Sequence, residues 1–115
     1  MILSHMEQYQ ERLNDLFQAL ADPTRRAVLG RLGAGPASIG ELAKPFAMAL
    51  PSFMKHIHVL EGSGWIQTRK EGRVRICAIE TRAFAAADAW LAAQRAQWAA
   101  RFDRFDALLE QTRDD

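Results

Sequence analysis

Residues 51–79 constrain the fold more than any other part of the chain. Pro51 stands where a helix tolerates proline, in its first turn, and Gly62-Ser63-Gly64 stands where a helix must stop. Between them Phe53, Ile57 and Leu60 recur at i, i+4 and i+7, so they share one face and that face must be buried. The opposite arc holds Pro51, Met54, Lys55 and His58, with Leu50 at its edge and Ser52 beside it. Such a helix docks by one side and offers the other outward. Directly after the break come two β-like runs, 65–69 and 74–79, joined through Lys70-Glu71-Gly72-Arg73. This order predicts a hairpin with a basic tip.

The remaining punctuation supplies more helices. Leu13, Leu16, Phe17 and Leu20 recur at three- and four-residue intervals, which predicts a first helix over about 7–20. Asp22 followed by Pro23 is an N-cap acceptor before a proline at the first helical position. The helix it opens buries Ala27, Val28, Leu29 and Leu32 and is stopped by Gly33, Gly35 and Pro36. Ser38 with Glu41 three residues later matches a capping box for a short third helix, whose length Pro45 limits. From 81 to 109 the pattern is helical and alanine-rich, with Phe84, Ala87, Leu91, Trp98, Phe105 and Leu109 near one stripe and Trp90 and Phe102 widening it. The expected fold is mainly α with a small β-hairpin, a winged helix-turn-helix. Residues 1–115 form one domain, with 38–64 as the helix-turn-helix, 65–79 as the wing, and 7–20 and 81–109 as dimerisation helices.

Composition narrows the function classes. The chain has 115 residues, about one domain's worth, and no apolar run approaches the roughly 20 residues that cross a bilayer. The N-terminal residues lack the basic flank and apolar stretch of a secretory signal, and the one cysteine, Cys77, forms no disulfide within the chain. A cytoplasmic protein is expected. The net charge is only +1, but it is unevenly distributed. Residues 55–79 carry Lys55, Arg69, Lys70, Arg73 and Arg75 against Glu61 and Glu71 alone. An anionic polymer is attracted to such a patch even on a nearly neutral protein.

In a winged helix-turn-helix the helix after the turn enters the major groove and its flanks grip phosphates. The expected DNA-binding residues are therefore Pro51, Ser52, Met54, Lys55 and His58 on the helix, with Lys70, Arg73 and Arg75 on the wing. Lys55 can donate to a guanine edge or a phosphate, and Met54, Leu50 and Pro51 can touch thymine methyl groups. Arg73 and Arg75, two apart, are expected on one face of a strand. His58 is read either as a DNA contact or as plainly exposed, and His56 as a packing or hydrogen-bonding residue at the border of the core. Cys77 is read as a small core residue, with a redox switch as the alternative.

Several runs together resemble the ArsR/SmtB family of repressors: Leu20-Ala21-Asp22-Pro23-Thr24-Arg25-Arg26, Glu41-Leu42-Ala43, Lys55-His56-Ile57-His58-Val59-Leu60-Glu61, Gly64-Trp65-Ile66 and Glu71-Gly72-Arg73. The resemblance covers roughly residues 10–80. It implies a homodimer built on the first and last helices that represses transcription from double-stranded operator DNA until an inducer loosens it. The expected dimer contacts are Leu13, Leu16, Phe17, Phe84, Leu91, Trp98 and Phe105. Many members of that family sense metals through two cysteines just before the position of Glu41, where this chain has Ser38 and Gly40, or through histidines on the last helix, where it has none after His58. The chain thus resembles a metal-independent branch, and no metal or cofactor is expected. A small-molecule inducer of unknown identity would be sought along the aromatic stripe of the last helix.

The sequence offers no Ser-His-Asp order, metal-ligand cluster or Gly-rich phosphate loop, so no catalytic site is expected. A winged-helix module that binds other proteins without reading DNA is the alternative, since fold does not fix function.

Overall fold

The computed structural model describes residues 2–114 and has the element order α1 (Ile2–Ala19), α2 (Pro23–Leu32), β1 (Ala37–Ser38), α3 (Ile39–Ala43), α4 (Leu50–Ser63), β2 (Ile66–Glu71), β3 (Val74–Ile79) and α5 (Thr81–Asp114). The caps are those the sequence implies. Asp22 accepts from the Arg25 amide at 3.1 Å to open α2, and Ser38 accepts from the Glu41 amide at 3.1 Å to open α3. Helix α4 ends in a Schellman motif: the Gly64 amide donates to Glu61 and the Trp65 amide to Leu60, with Gly64 at φ +96°. A left-handed residue is required there, and glycine takes it without steric cost.

Three strands form one antiparallel sheet in the order β1-β3-β2, one strand more than the sequence suggests. β1 is two residues long, pairing Ala37 with Cys77 and Ser38 with Ile76, too short to show alternation in sequence. The hairpin turn is also tighter than expected. Glu71 pairs with Val74, which leaves only Gly72 and Arg73 in the turn, and Gly72 takes φ +63° to make it.

The core lies where α1, α2, α4, the sheet and the start of α5 meet. Phe53, Ile57 and Leu60 of α4 pack there with Val28 and Leu32 of α2, Leu42 of α3, and Cys77 of β3. Ala83 and Ala87 bring α5 onto it, and Phe17 of α1 meets Trp90 edge-to-face at 5.4 Å. Two arginines of α2 close the end of α1. Arg25 Nε donates to the Ala19 carbonyl at 2.6 Å, and Arg26 Nη1 to the Leu20 carbonyl at 2.7 Å, satisfying carbonyls that the helix end leaves without partners.

The molecule is far from spherical. Its radius of gyration is 20.0 Å and its longest extent 73 Å, whereas a compact chain of this length has a radius of about 13 Å. The excess comes from α5, whose 34 residues run about 50 Å and outreach the winged body.

Two predictions follow from this packing. Partial burial pushes the Asp22 carboxyl up, but the Arg25 amide, the neighbouring His56 and Arg25 side chains and the Thr24 amide outweigh it and hold the group below its ordinary value. A depressed folded pKa contributes stability that is complete above the unfolded pKa, about 4, and lost as pH falls through the folded one. Asp22→Asn keeps a cap acceptor and loses the charge, so its stability deficit against wild type should shrink as pH drops below about 4 in urea titrations. A deficit that is constant from pH 7 to pH 2 would show the charge to be irrelevant. The Cys77 thiol is fully buried, and burial, aided by Glu61 and opposed by Arg75, pushes it up. Iodoacetamide should therefore modify Cys77 no faster than the protein opens, and rapid alkylation of the folded protein at pH 7 would contradict that.

Candidate nucleic-acid interface

The surface is organised by α4. With Phe53 and Leu60 at 0% exposure and Ile57 at 1%, the helix is pinned by one face, and Pro51, Ser52, Lys55 and His58 are exposed. Met54 is drawn further in than its helical position suggests. It is half-buried and packs against the core, leaving Leu50, 58% exposed, as the larger apolar group near the start of α4. Ala49 makes no side-chain cap, and the first turn carries no acidic residue. The partial positive charge of the helix N-terminus is thus left open.

The wing lies against the other end of this helix. Thr68 and Cys77 pair across the hairpin, as do Lys70 and Arg75, so these four share a face. Cys77 makes that the face turned toward the core. Arg75 Nη1 donates to Thr68 Oγ1 at 3.1 Å, and the Thr68 hydroxyl donates to Glu61 of α4. One guanidinium N–H of Arg75 is therefore tied into a chain that braces the wing on α4, a contact the sequence pattern did not reveal. Arg73 sits in the two-residue turn, where strand alternation does not apply, so the expected shared strand face with Arg75 is not formed. Arg69 lies on the opposite face and pairs with Glu71 at 2.9 Å. Both are exposed, so this pair contributes little to stability.

On the other flank of α4, His56 Nδ1 lies 3.1 Å from Arg25 Nη1 and 3.7 Å from Asp22 Oδ2. His56 is thus a hydrogen-bonding residue between α4 and α2. Ser38 uses its hydroxyl as the α3 cap.

The two long helices form a second surface. Leu13 and Leu16 are already buried within the protomer, and Phe17 is half-buried against Trp90. Phe84 turns toward the winged body and stacks edge-to-face on Trp65 at 4.8 Å. Farther out, Leu91, Trp98, Phe102, Phe105, Leu108 and Leu109 all remain 44–59% exposed. At 100° per residue these positions continue the stripe that Ala83 and Ala87 bury near the body. Met6 and Tyr9 of α1 are also exposed.

Among the described residues no helix is long and apolar enough to cross a membrane. Residues 20–66 match a helix-turn-helix domain family. Over 70 residues the chain is 37% identical to the HTH-type transcriptional regulator Rv2034 of Mycobacterium tuberculosis. That match covers 61% of this chain and 65% of the relative, so the chain spans just under two thirds of the relative's length. The crystal structure of the ArsR family transcriptional regulator RHA00566 is 70% identical and matches with a TM-score of 0.75, covering 78% of this chain and 93% of that one. The homodimeric winged helix-turn-helix DNA-binding domain Mb0332 of Mycobacterium bovis matches at 21% identity with a TM-score of 0.64 over 80% of this chain and 87% of that one, a likeness of fold alone. With the helix-turn-helix, the wing and a near-complete match at high identity, the chain belongs to the ArsR family of transcriptional regulators.

Proposed function

We propose that this protein is a cytoplasmic repressor that binds an inverted-repeat operator as a homodimer and has no catalytic site. The observation that carries the reading is the outward face of α4: Pro51, Lys55 and His58 are exposed opposite the buried Phe53, Ile57 and Leu60, with the exposed Ser52 beside them. A helix held rigidly by one side, uncapped and positively polarised at its start, suits a major groove and its phosphates. The wing supports the same reading. Lys70 stands opposite Arg75 in the ladder, an unfavourable pairing of like charges that a polyanion would relieve. In this reading Lys55 and His58 reach base edges or phosphates, with Ser52, Pro51 and the half-buried Met54 beside them, and Lys70, Arg73 and Arg75 hold phosphates. The segment 38–64 is the reading unit and 65–79 the wing.

The dimer is read from α1 and α5. The exposed Leu91, Trp98 and Phe105, continued by Phe102, Leu108 and Leu109, form an apolar face that the described residues of the same protomer leave 44–59% exposed. A second copy supplies the complementary face under two-fold symmetry, as the homodimeric state of Mb0332 illustrates for this fold. Phe17, Leu13 and Leu16 support that interface from the body, and Phe84 lies at its inner end. Segments 7–20 and 81–109 are its dimerisation helices. Two α4 helices then lie about 34 Å apart, one turn of DNA.

Fluorescence anisotropy against the chain's own upstream DNA and a scrambled duplex, over a salt series, tests the first part. Selective binding that weakens steeply with salt is expected. Lys55→Ala or Arg73→Ala should lower the log–log salt slope by about 2 for the dimer, one phosphate per protomer. Equal affinity for both duplexes would transfer the protein to the class of modules that bind other proteins. The second part is tested by sedimentation: wild type is expected as a dimer at micromolar concentration, and Phe105→Glu or Trp98→Glu as a folded monomer. A monomeric wild type would overturn the dimer.

A further inference from the structure

Apolar packing holds α4 in place, and directional contacts add a restraint on its roll. The contacts of Phe53, Ile57 and Leu60 are non-directional, so they resist withdrawal of the helix more than its rotation about its own axis. Directional contacts resist rotation most sharply, and α4 makes them on both flanks of its buried stripe. On one flank Glu61 accepts from Thr68 of the wing. On the other, one helical step before Ile57, His56 meets Arg25.

Arg25 is placed to transmit position as well as to fix it. Carried by α2, its guanidinium bridges two other elements: Nε donates to Ala19 and Nη2 to Gln18, both carbonyls at the end of α1, while Nη1 contacts His56 Nδ1 of α4. Its own backbone amide is held by Asp22. A guanidinium can only donate, so in this contact Nδ1 of the neutral imidazole is the acceptor. One planar group thereby joins the last turn of a helix assigned to dimerisation to the flank of the helix assigned to reading DNA.

We infer that Arg25 and His56 are positioning residues for operator recognition, setting the roll of α4 against the end of α1, although neither reaches DNA itself. The inference rests on the operator-binding reading above. A roll of about 15° moves a group at the 5–6 Å outer radius of a helix through roughly 1.5 Å. That displacement is enough to break a directional hydrogen bond to a base edge while leaving a phosphate contact within reach. The loss should therefore fall on selectivity and spare non-specific affinity.

The test uses His56→Leu, which removes the acceptor, and His56→Asn, whose Oδ1 can stand where Nδ1 stood. Arg25→Lys is a third variant that keeps the charge and loses the fork. A duplex selected by the wild-type protein from a random pool is compared with a scrambled one, and the ratio of the two Kd values is read. A merely structural role would lower the folded fraction and weaken both bindings alike, leaving the ratio unchanged. We expect His56→Leu and Arg25→Lys to cut the ratio about tenfold, the worth of one well-made base contact, and His56→Asn to keep it within about threefold of wild type. An unchanged ratio in folded His56→Leu and Arg25→Lys overturns the inference and leaves the regulator reading intact. A wild type that selects no sequence overturns both.

Discussion

The winged body depends on Trp65. The residue is 2% exposed, and its indole N–H donates at 2.7 Å to the carbonyl of Leu16, a buried contact between residues 49 apart in sequence. Its backbone amide completes the end of α4, its carbonyl accepts from Glu80 just before α5, and its ring stacks on Phe84. A buried indole N–H without an acceptor would carry a desolvation cost of about 1–3 kcal/mol, so the pose of Trp65 and the position of α1 are fixed together. Three elements, α1, α4 and α5, are thereby registered through one residue before any surface residue is considered.

What α4 offers outward follows from that registration. Its end is set by Gly64 and Trp65, its depth by Phe53, Ile57 and Leu60, and its flanks by Glu61 and His56. Lys55 then has nowhere to point but away from the core. The wing is held to the same helix through Arg75, Thr68 and Glu61, so the two basic surfaces do not move independently. An arrangement with that much polar bracing and so little negative charge on its outward side suits a partner that is itself rigid, periodic and anionic.

Most of the fold was legible because its boundaries are written in local chemistry. Asp22-Pro23, Ser38 with Glu41, and Pro51 with Gly64 act on the nearest amides and carbonyls, so each can be read without knowing what packs where. The helical period of Phe53, Ile57 and Leu60 was equally plain. The long-range pairings were not. β1 exists because Ala37 and Ser38 find an open edge on β3, and no feature of two residues announces that. Arg73 was misassigned to a strand face because a turn's length is set by the register of both strands, which a one-residue difference alters. Arg75, His56 and Arg25 are more revealing. Sequence gives their charge and their side of a helix or strand, while their partners lie 7 and 31 residues away, beyond the reach of any local period. The inward pull on Met54 and the burial of Leu13 and Leu16 within the protomer likewise depend on how wide a face the neighbouring elements cover.

The distal half of α5 carries the thermodynamic argument for assembly. A single α-helix extending into water has little stability of its own, since most helical stability in proteins comes from packing an apolar face. Here Ala83 and Ala87 anchor the first turns, and the same stripe then runs on through Leu91, Trp98, Phe102, Phe105, Leu108 and Leu109 with only the helix itself beneath it. With roughly half of each side chain still accessible, covering it is worth on the order of 1 kcal/mol per residue. Six such residues in one copy are marginal against an association cost of about 4–15 kcal/mol. Two-fold symmetry doubles the set, because each copy presents and covers the same face, and the sum then exceeds all but the upper end of that cost. A monomer would leave α5 without the packing that justifies its length, whereas a dimer supplies it and fixes the distance between two α4 helices by the same contact.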